Sequence, residues 1–338
     1  MNTPSFLVSI HCMTYNHASY IEDAMNGFCM QQTDFPFVAI IVDDASTDGE
    51  PEVIRRYLNA HFDMEQAELW ETDDAHFVYA QHQENKNCFF AVILLKYNFW
   101  QAKKAKGPLM KRWTDTKYVA LCEGDDYWTH PEKLQKQVIV LERFPEVSVC
   151  CHDFISYYQK NGCFDKASHY DMTKMSFNGK DFFRFAVSDH FHKHIIQTLS
   201  IVYRKGDYLR KLHRNKYKYF RDQVFEYYLL KAGDGIALNY CMGVYRRHKG
   251  GIATGISEER RIEIRLKQWY DIYHVENEKE LYPVIIWNGH ELLKYTLENY
   301  GMKKLFKEII YLYGELSHRI ATTILFNFTK YAISQNLQ

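Results

Sequence analysis

Two short stretches of this 338-residue chain crowd carboxylates in a way that could do chemistry. Asp43-Asp44-Ala-Ser-Thr-Asp48-Gly49 sets three acids and two hydroxyls in one loop. A carboxylate there can accept the N3–H of a pyrimidine while the hydroxyls hold a ribose. Ser46, Thr47 and Asp48 equally suit an Asx-type turn with a helix N-cap. Glu123-Gly124-Asp125-Asp126-Tyr-Trp128 is the second stretch. Three carboxylates within four residues repel one another unless a cation or a base is near. Hard divalent cations such as Mg2+ take one or two carboxylates together with substrate phosphates. The glycine lets backbone and ligand approach closely, and a turn leading into the next helix is the competing structural reading.

These tips need strands to hold them. Phe6–Met13 and the wholly apolar Phe37–Val42 and Tyr118–Cys122 read as strands, the latter two covered on both faces. Each ends at a polar tip. Helices are expected from Tyr20 to Gln31, from Pro51 through Leu58, and from Pro131 to Phe144. His76–Gln81 reads as a further strand, Phe89–Ala105 as a long helix and Val147–His152 as another strand. Such alternation predicts an open, mainly parallel α/β sheet, whose ligands bind beyond the carboxyl ends of the strands, where the acids lie. From Glu258 onward the pattern is helical, with Leu305, Ile309, Leu312, Leu316 and Ile320 along one face.

Composition narrows the classes. With 46% hydrophobic residues, 22 Phe, 26 Tyr and 6 Trp, the chain carries ample apolar area for a core and is not a disordered chain. Forty-two bases balance forty-two acids, so no overall field points to nucleic acid. Eight scattered cysteines without a CxxC pair suit reduced thiols in a cytosolic protein. No signal peptide and no apolar run of membrane-spanning length is read.

The order of these motifs resembles the family 2 glycosyltransferases of the GT-A fold. The resemblance runs through Val8-Ser-Ile10, Thr14-Tyr-Asn16, Val42–Gly49, Tyr118–Trp128, Pro131–Gln137, Arg221-Asp222-Gln and Tyr245-Arg246-Arg-His248, over about residues 5–250. It implies a Rossmann-like mixed sheet with an α-helical C-terminal appendage. The expected division is a glycosyltransferase domain over 1–255, donor half 1–128 and acceptor half 129–255, followed by a helical region over 256–338. The implied activity is inverting transfer of a sugar from a nucleotide-diphosphate sugar, usually a UDP-sugar, to a hydroxyl of a saccharide or lipid-linked acceptor, with Mn2+ or Mg2+. By resemblance, Thr14, Asn16, Asp43, Asp44, Glu123, Gly124 and Asp125 border the donor nucleotide. Asp125, Glu123 and His248 are implied metal ligands, Asp222 the catalytic base, and Asp126, Trp128 and Arg246 phosphate or acceptor contacts. The family's basic residue after the third strand is not evident, and Lys86 or Lys96 is the substitute considered.

Other features admit bland and sharp readings. Residues 101–117 hold six bases against Asp115, as a solvated loop or as a site for phosphate-bearing acceptor or membrane headgroups. Segment 301–338 is basic and helical, suiting core, a homodimer interface or peripheral contact at the inner face of a membrane. His190, His192 and His194 read as polar lining, with metal binding the sharper alternative. A non-catalytic nucleotide-sugar-binding scaffold is the competing function, and a nucleotidyltransferase ranks below it.

Overall fold

The computed structural model describes residues 5–165, 182–193, 195–251 and 255–336. They form two compact units: residues up to 187 with 194–209 and 229–248, and residues 188–193 with 210–228 and 249 onward. The second unit begins near the expected boundary at 255 but also draws in two earlier segments, one of which carries Asp222.

The first unit is built on a mixed sheet. In chain order its elements are β1 (Val8–Thr14), α1 (Ile21–Cys29), β2 (Phe37–Asp43), α2 (Glu50–His61), β3 (Glu68–Glu71), β4 (Ala75–Gln81) and β5 (Cys88–Leu95). Next come α3 (Gly107–Met110), β6 (Tyr118–Leu121), β7 (Tyr127–Trp128), α4 (Lys133–Arg143), β8 (Val147–Tyr158), β9 (Cys163–Asp165) and β10 (Phe182–Phe185). β11 (Val202–Arg204) and β12 (Asp234–Arg247) complete the sheet, while most of α5 (Val187–Lys193) and the start of α6 (Asp222–Ala232), up to Tyr228, fall in the second unit. Strand order is β10-β12-β8-β11-β6-β1-β2-β5-β4-β3, with β7 on β12 and β9 on β8. The pairs β1–β2, β1–β6 and β2–β5 are parallel, so β1, β2 and β6 deliver their polar tips to one edge.

One expected element changes type. The run expected as a helix over Phe89–Ala105 opens as β5, every residue of which is buried between β2 and β4. A continuous apolar run has neither a 3.6- nor a 2-residue period, so only its non-local partners separate strand from helix. On one face of the sheet, Ile21, Met25 and Phe28 of α1, Ile54 and Leu58 of α2, and Leu134 and Leu141 of α4 meet Val8, Ile10, Phe37 and Ile41. On the other, Met110 and Trp113 join Val38, Ile40, Tyr79 and Phe89. The segment 101–117 is therefore a cover as well as a basic run. Of its six bases, Lys104, Lys106, Arg112 and Lys117 pair with Asp74, Asp44, Glu68 and Glu142.

Lys133, at the start of α4, is fully buried. Its ammonium lies 3.9 Å from the Trp128 ring centroid and 2.8 Å from Gln137 Oε1, and burial pulls its pKa down to about 7. Between that value and the usual lysine range the unfolded chain binds the extra proton. This group's contribution to stability therefore rises with pH across that window and is flat below it. Wild type is expected to gain up to about 2 kcal/mol on Lys133→Met between pH 7.5 and 9. Paired thermal melts check this, and curves that stay parallel refute it.

The second unit holds α7 (Glu258–Glu276), α8 (Tyr282–Glu315) and α9 (His318–Asn336). Ser257 caps α7 by accepting the Arg260 N–H, and the left-handed Asn277 ends it. α8 is broken at Gly301, whose φ of 73° is one that glycine adopts without cost. Leu305, Leu312, Leu316 and Ile320 are buried and Ile309 is half-buried, so most of the apolar face read from the sequence is core. Among the described residues no helix is long and apolar enough to cross a membrane.

Candidate active site

The ends of β1 and β2 are knitted together by side chains. Asn16, left-handed at φ 58°, donates its N–H to Ser46 Oγ (2.8 Å) and accepts the Thr47 N–H on Oδ1 (2.8 Å). Asp48 accepts from Ala18 N–H at 2.9 Å. Ala45 is also left-handed, at φ 59°, a conformation that costs a β-carbon residue roughly 1–2 kcal/mol and that this network must over-determine. Glu50, fully buried at the start of α2, is the hub. It accepts from the Thr14 hydroxyl, from His17 N–H (2.8 Å) and from the Ser46 hydroxyl (2.8 Å). Burial raises its pKa, and these hydrogen bonds oppose the rise.

The second tip, after β6, lies against the first. Gly124 donates its N–H to Met13 C=O (3.1 Å), and a β-carbon on it would stand 2.2 Å from Thr14 Oγ1. Only glycine lets the two loops approach this closely. Asp125 Oδ2 is 3.0 Å from His248 Nε2 and 3.8 Å from His17 Nε2. Together His17, Asp125 and His248 present three donor atoms within 4.8 Å of one another, the cluster with metal-ligating capacity among the described residues. Burial raises the Asp125 pKa, but the hydrogen bond from His248 and the charges of His17 and His248 more than offset it, leaving the carboxylate below its usual range. Burial lowers the pKa of His17 against the raising effect of the Asp125 charge, a direction that favours the neutral imidazole a metal ligand needs.

The tautomer of His17 follows from the network. The Thr14 hydroxyl gives its proton to Glu50, so its oxygen accepts from His17 Nδ1, 3.2 Å away. That leaves the Nε2 lone pair facing Asp125, as ring orientation by a partner on the other nitrogen does in metal sites. The Oδ1 oxygen of Asp125 is buried without a hydrogen-bond partner. An orphaned carboxylate oxygen beside two imidazoles fits a divalent cation, because a buried anionic oxygen left unpaired is costly.

The expected site residues fall into three groups. Asp125, His248 and Gly124 meet at the cluster, Thr14 bonds the His17 ring at 3.2 Å, and Asn16 ties the adjoining β2 loop through Ser46 and Thr47. Glu123 is exposed and is not a member; His17 takes the third place. Asp126, Trp128 and Arg246 turn inward. Asp126 Oδ1 accepts the Arg246 N–H at 2.8 Å, and burial and the Asp125 charge drive its pKa well up. Trp128 is 1% exposed and donates to Leu199 C=O at 2.8 Å. Arg246 donates to Asp125 C=O (2.9 Å) and Asp23 (2.6 Å) and lies over the Tyr20 ring. These contacts suit holding the Asp125 turn rather than touching a ligand.

The first acidic pair is also partly engaged. Asp44 accepts from Phe99 N–H (2.7 Å) and Trp100 N–H (3.3 Å) and pairs with Lys106 at 3.0 Å. Asp43 takes the Ser46 N–H at 3.2 Å, keeps Oδ1 buried and unpartnered, and has its pKa raised by burial. The base at this tip is Lys106; Lys96 instead pairs with Glu71, and Lys86 bonds the Gln83 carbonyl. Sequence reasoning missed His17, Glu50 and Lys106. For His17 a signal existed, three residues beyond Thr14 in the same strand-end loop; for Lys106 there was none within a run of six bases.

Asp222 begins α6 within the second unit, and its neighbours are fastened there. Tyr217 and Tyr228 bond Glu276 (2.5 and 2.8 Å), Tyr219 N–H bonds Asp271 (2.8 Å), and Lys218 pairs with Glu315 (2.9 Å). Desolvation raises the Asp222 pKa, against the lowering effect of Arg221. His190 is buried with Nε2 2.9 Å from Glu226, and burial holds it near pKa 3. It is a core residue; His194 lies outside the described residues.

Comparison with known proteins agrees with this architecture. The uncharacterized protein Rv1520 of Mycobacterium tuberculosis is 31% identical over 287 residues, covering 81% of this chain and 70% of that one, and Mb1547 of Mycobacterium bovis matches equally. Among solved structures, Staphylococcus aureus TarS 1-349 in complex with UDP-GlcNAc superposes with a TM-score of 0.58 at 15% identity, over 93% of this chain and 82% of that one. The mannosyltransferase PcManGT from Pyrobaculum calidifontis, in complex with GDP-Man and Mn2+, gives 0.51 at 15% identity, over 98% and 81%. At such identities these neighbours establish the GT-A fold. The family model described as Glycosyl transferase family 2 matches residues 9–208, and the chain belongs to that family of glycosyltransferases.

Proposed function

We propose that this glycosyltransferase moves a sugar, with inversion, from a nucleotide-diphosphate sugar, a UDP-sugar first, to a hydroxyl of a saccharide or lipid-linked acceptor. The observation that carries the reading is the His17–Asp125–His248 cluster beside the acidic tip of β2. A divalent cation, Mn2+ or Mg2+, held by these three residues would neutralise the diphosphate as it departs. Two neighbours carry UDP-GlcNAc and GDP-Man with Mn2+, which supports a nucleotide-sugar donor.

In this reading Asp222 takes the proton of the acceptor hydroxyl. The acceptor oxygen forms its bond to the anomeric carbon while the carbon–oxygen bond to the diphosphate breaks on the opposite face, and the electron pair leaves with the nucleotide. Asp44 or Asp43 reads the base; for Asp44, the base N3–H replaces Lys106 on the carboxylate, freeing the ammonium.

Calorimetry of UDP, GDP, CMP and TDP, each with Mn2+ and again with EDTA, tests the donor class. One nucleotide is expected to bind, and chelation to weaken it at least tenfold. Failure of all four on folded protein overturns the donor reading in favour of a scaffold without transfer.

A further inference from the structure

The helix after the Gly301 break has a second apolar face that the first does not explain. Leu305, Leu312 and Leu316 are buried, whereas Met302, Phe306 and Ile310, spaced four residues apart, are 65%, 66% and 64% exposed. Residues at this spacing form one continuous stripe on a helix, and a stripe of large side chains this open marks an interaction surface. Lys303 and Lys307 flank it, exposed and outside the ion pairs made among the described residues, while Lys304 pairs with Glu259 at 3.3 Å.

The charges decide what covers the stripe. Between Met302 and Gly314 the one acid is Glu308, and it is buried. A second copy of this chain packed on the same stripe by a two-fold axis would gather Lys303 and Lys307 of both copies at one interface, with no exposed acid in the segment to answer them. An anionic surface answers them at once. A lysine-flanked apolar stripe is the composition that settles a helix in a lipid interface, the apolar side chains in the acyl boundary and the ammonium groups at the phosphates.

We propose that the Met302–Phe306–Ile310 stripe, with Lys303 and Lys307, docks this protein on a membrane surface bearing anionic phospholipid headgroups. The site is separate from the residues assigned to sugar transfer, and the inference stands whatever the fate of the donor reading. It also does not draw on the bases of residues 101–117, most of which are paired.

The test is co-sedimentation of the full chain with vesicles of phosphatidylcholine alone and of phosphatidylcholine with about one-third phosphatidylglycerol, alongside its mass in solution. Binding to the anionic vesicles is expected to be at least tenfold tighter than to the neutral ones, at about fivefold per lysine near the surface, and to fall in high salt. Phe306→Ser with Ile310→Ser should lose binding to both compositions. Lys303→Glu with Lys307→Glu should lose only the anionic preference. All four positions are exposed, so folding is expected to survive, and circular dichroism checks that it does. Wild-type protein that stays in the supernatant with both vesicles overturns the proposal. So does a wild-type dimer that Phe306→Ser with Ile310→Ser dissociates, because then a second copy covers the stripe.

Discussion

Asp222→Asn is expected to lower turnover by about 10²–10⁴-fold, the usual contribution of a positioned general base, while leaving nucleotide affinity unchanged. Asparagine keeps the shape and the helix-starting role of the residue at the head of α6 but cannot take a proton. A purely structural Asp222 would move stability and spare the rate of transfer. The pH profile supplies a second readout. Because desolvation raises the Asp222 pKa, the acid limb of kcat/KM should lie above the ordinary aspartate range: activity is present where the carboxylate is ionised and lost as pH falls through that raised value. Near-normal turnover in Asp222→Asn would falsify the base assignment.

Asp125→Ala should abolish metal-dependent nucleotide binding. Its Oδ2 faces both imidazoles of the cluster, and its Oδ1 has no other partner. Its loss therefore removes the vertex as well as the negative charge. His17→Ala and His248→Ala should each weaken Mn2+ by about 10–100-fold, the cost of disturbing a ligand or its orientation, whereas Glu123→Ala should change it little. Mn2+ titration followed by electron paramagnetic resonance, with and without UDP, reads all four. Undiminished Mn2+ affinity in Asp125→Ala removes this residue from any metal site, and a Glu123→Ala loss as large as that of His17→Ala returns Glu123 to the third position.

Much of the donor half could be read from the chain alone, for local reasons. Phe37–Val42 is apolar without interruption and stops at two acids, so both its burial and the position of its tip follow from composition. The helices that begin near Pro51 and Pro131 announce themselves by proline placement and a 3.6-residue stripe. The ordered motifs pointed to the family, and through it to Asp125 and His248, which the fold brings within 3.0 Å of each other.

What the chain alone left open is what depends on distance in space rather than in sequence. Cys88–Leu95 is a strand because β2 and β4 flank it, and no period within the segment says so. His248 lies 123 residues from the Asp125 it meets, and His17 joins them through a tautomer set by Thr14 and Glu50. Lys106 is distinguished from its neighbouring bases by the fold that lays residues 101–117 across the sheet and beside Asp44. Periodicity showed that residues 305–320 form a helix with an apolar face, yet it could not say which apolar side chains the other helices would cover. Periodicity and turn chemistry act between residues a few positions apart and are written into the sequence. Ligand geometry, proton placement and burial are settled between residues that only the folded chain brings together.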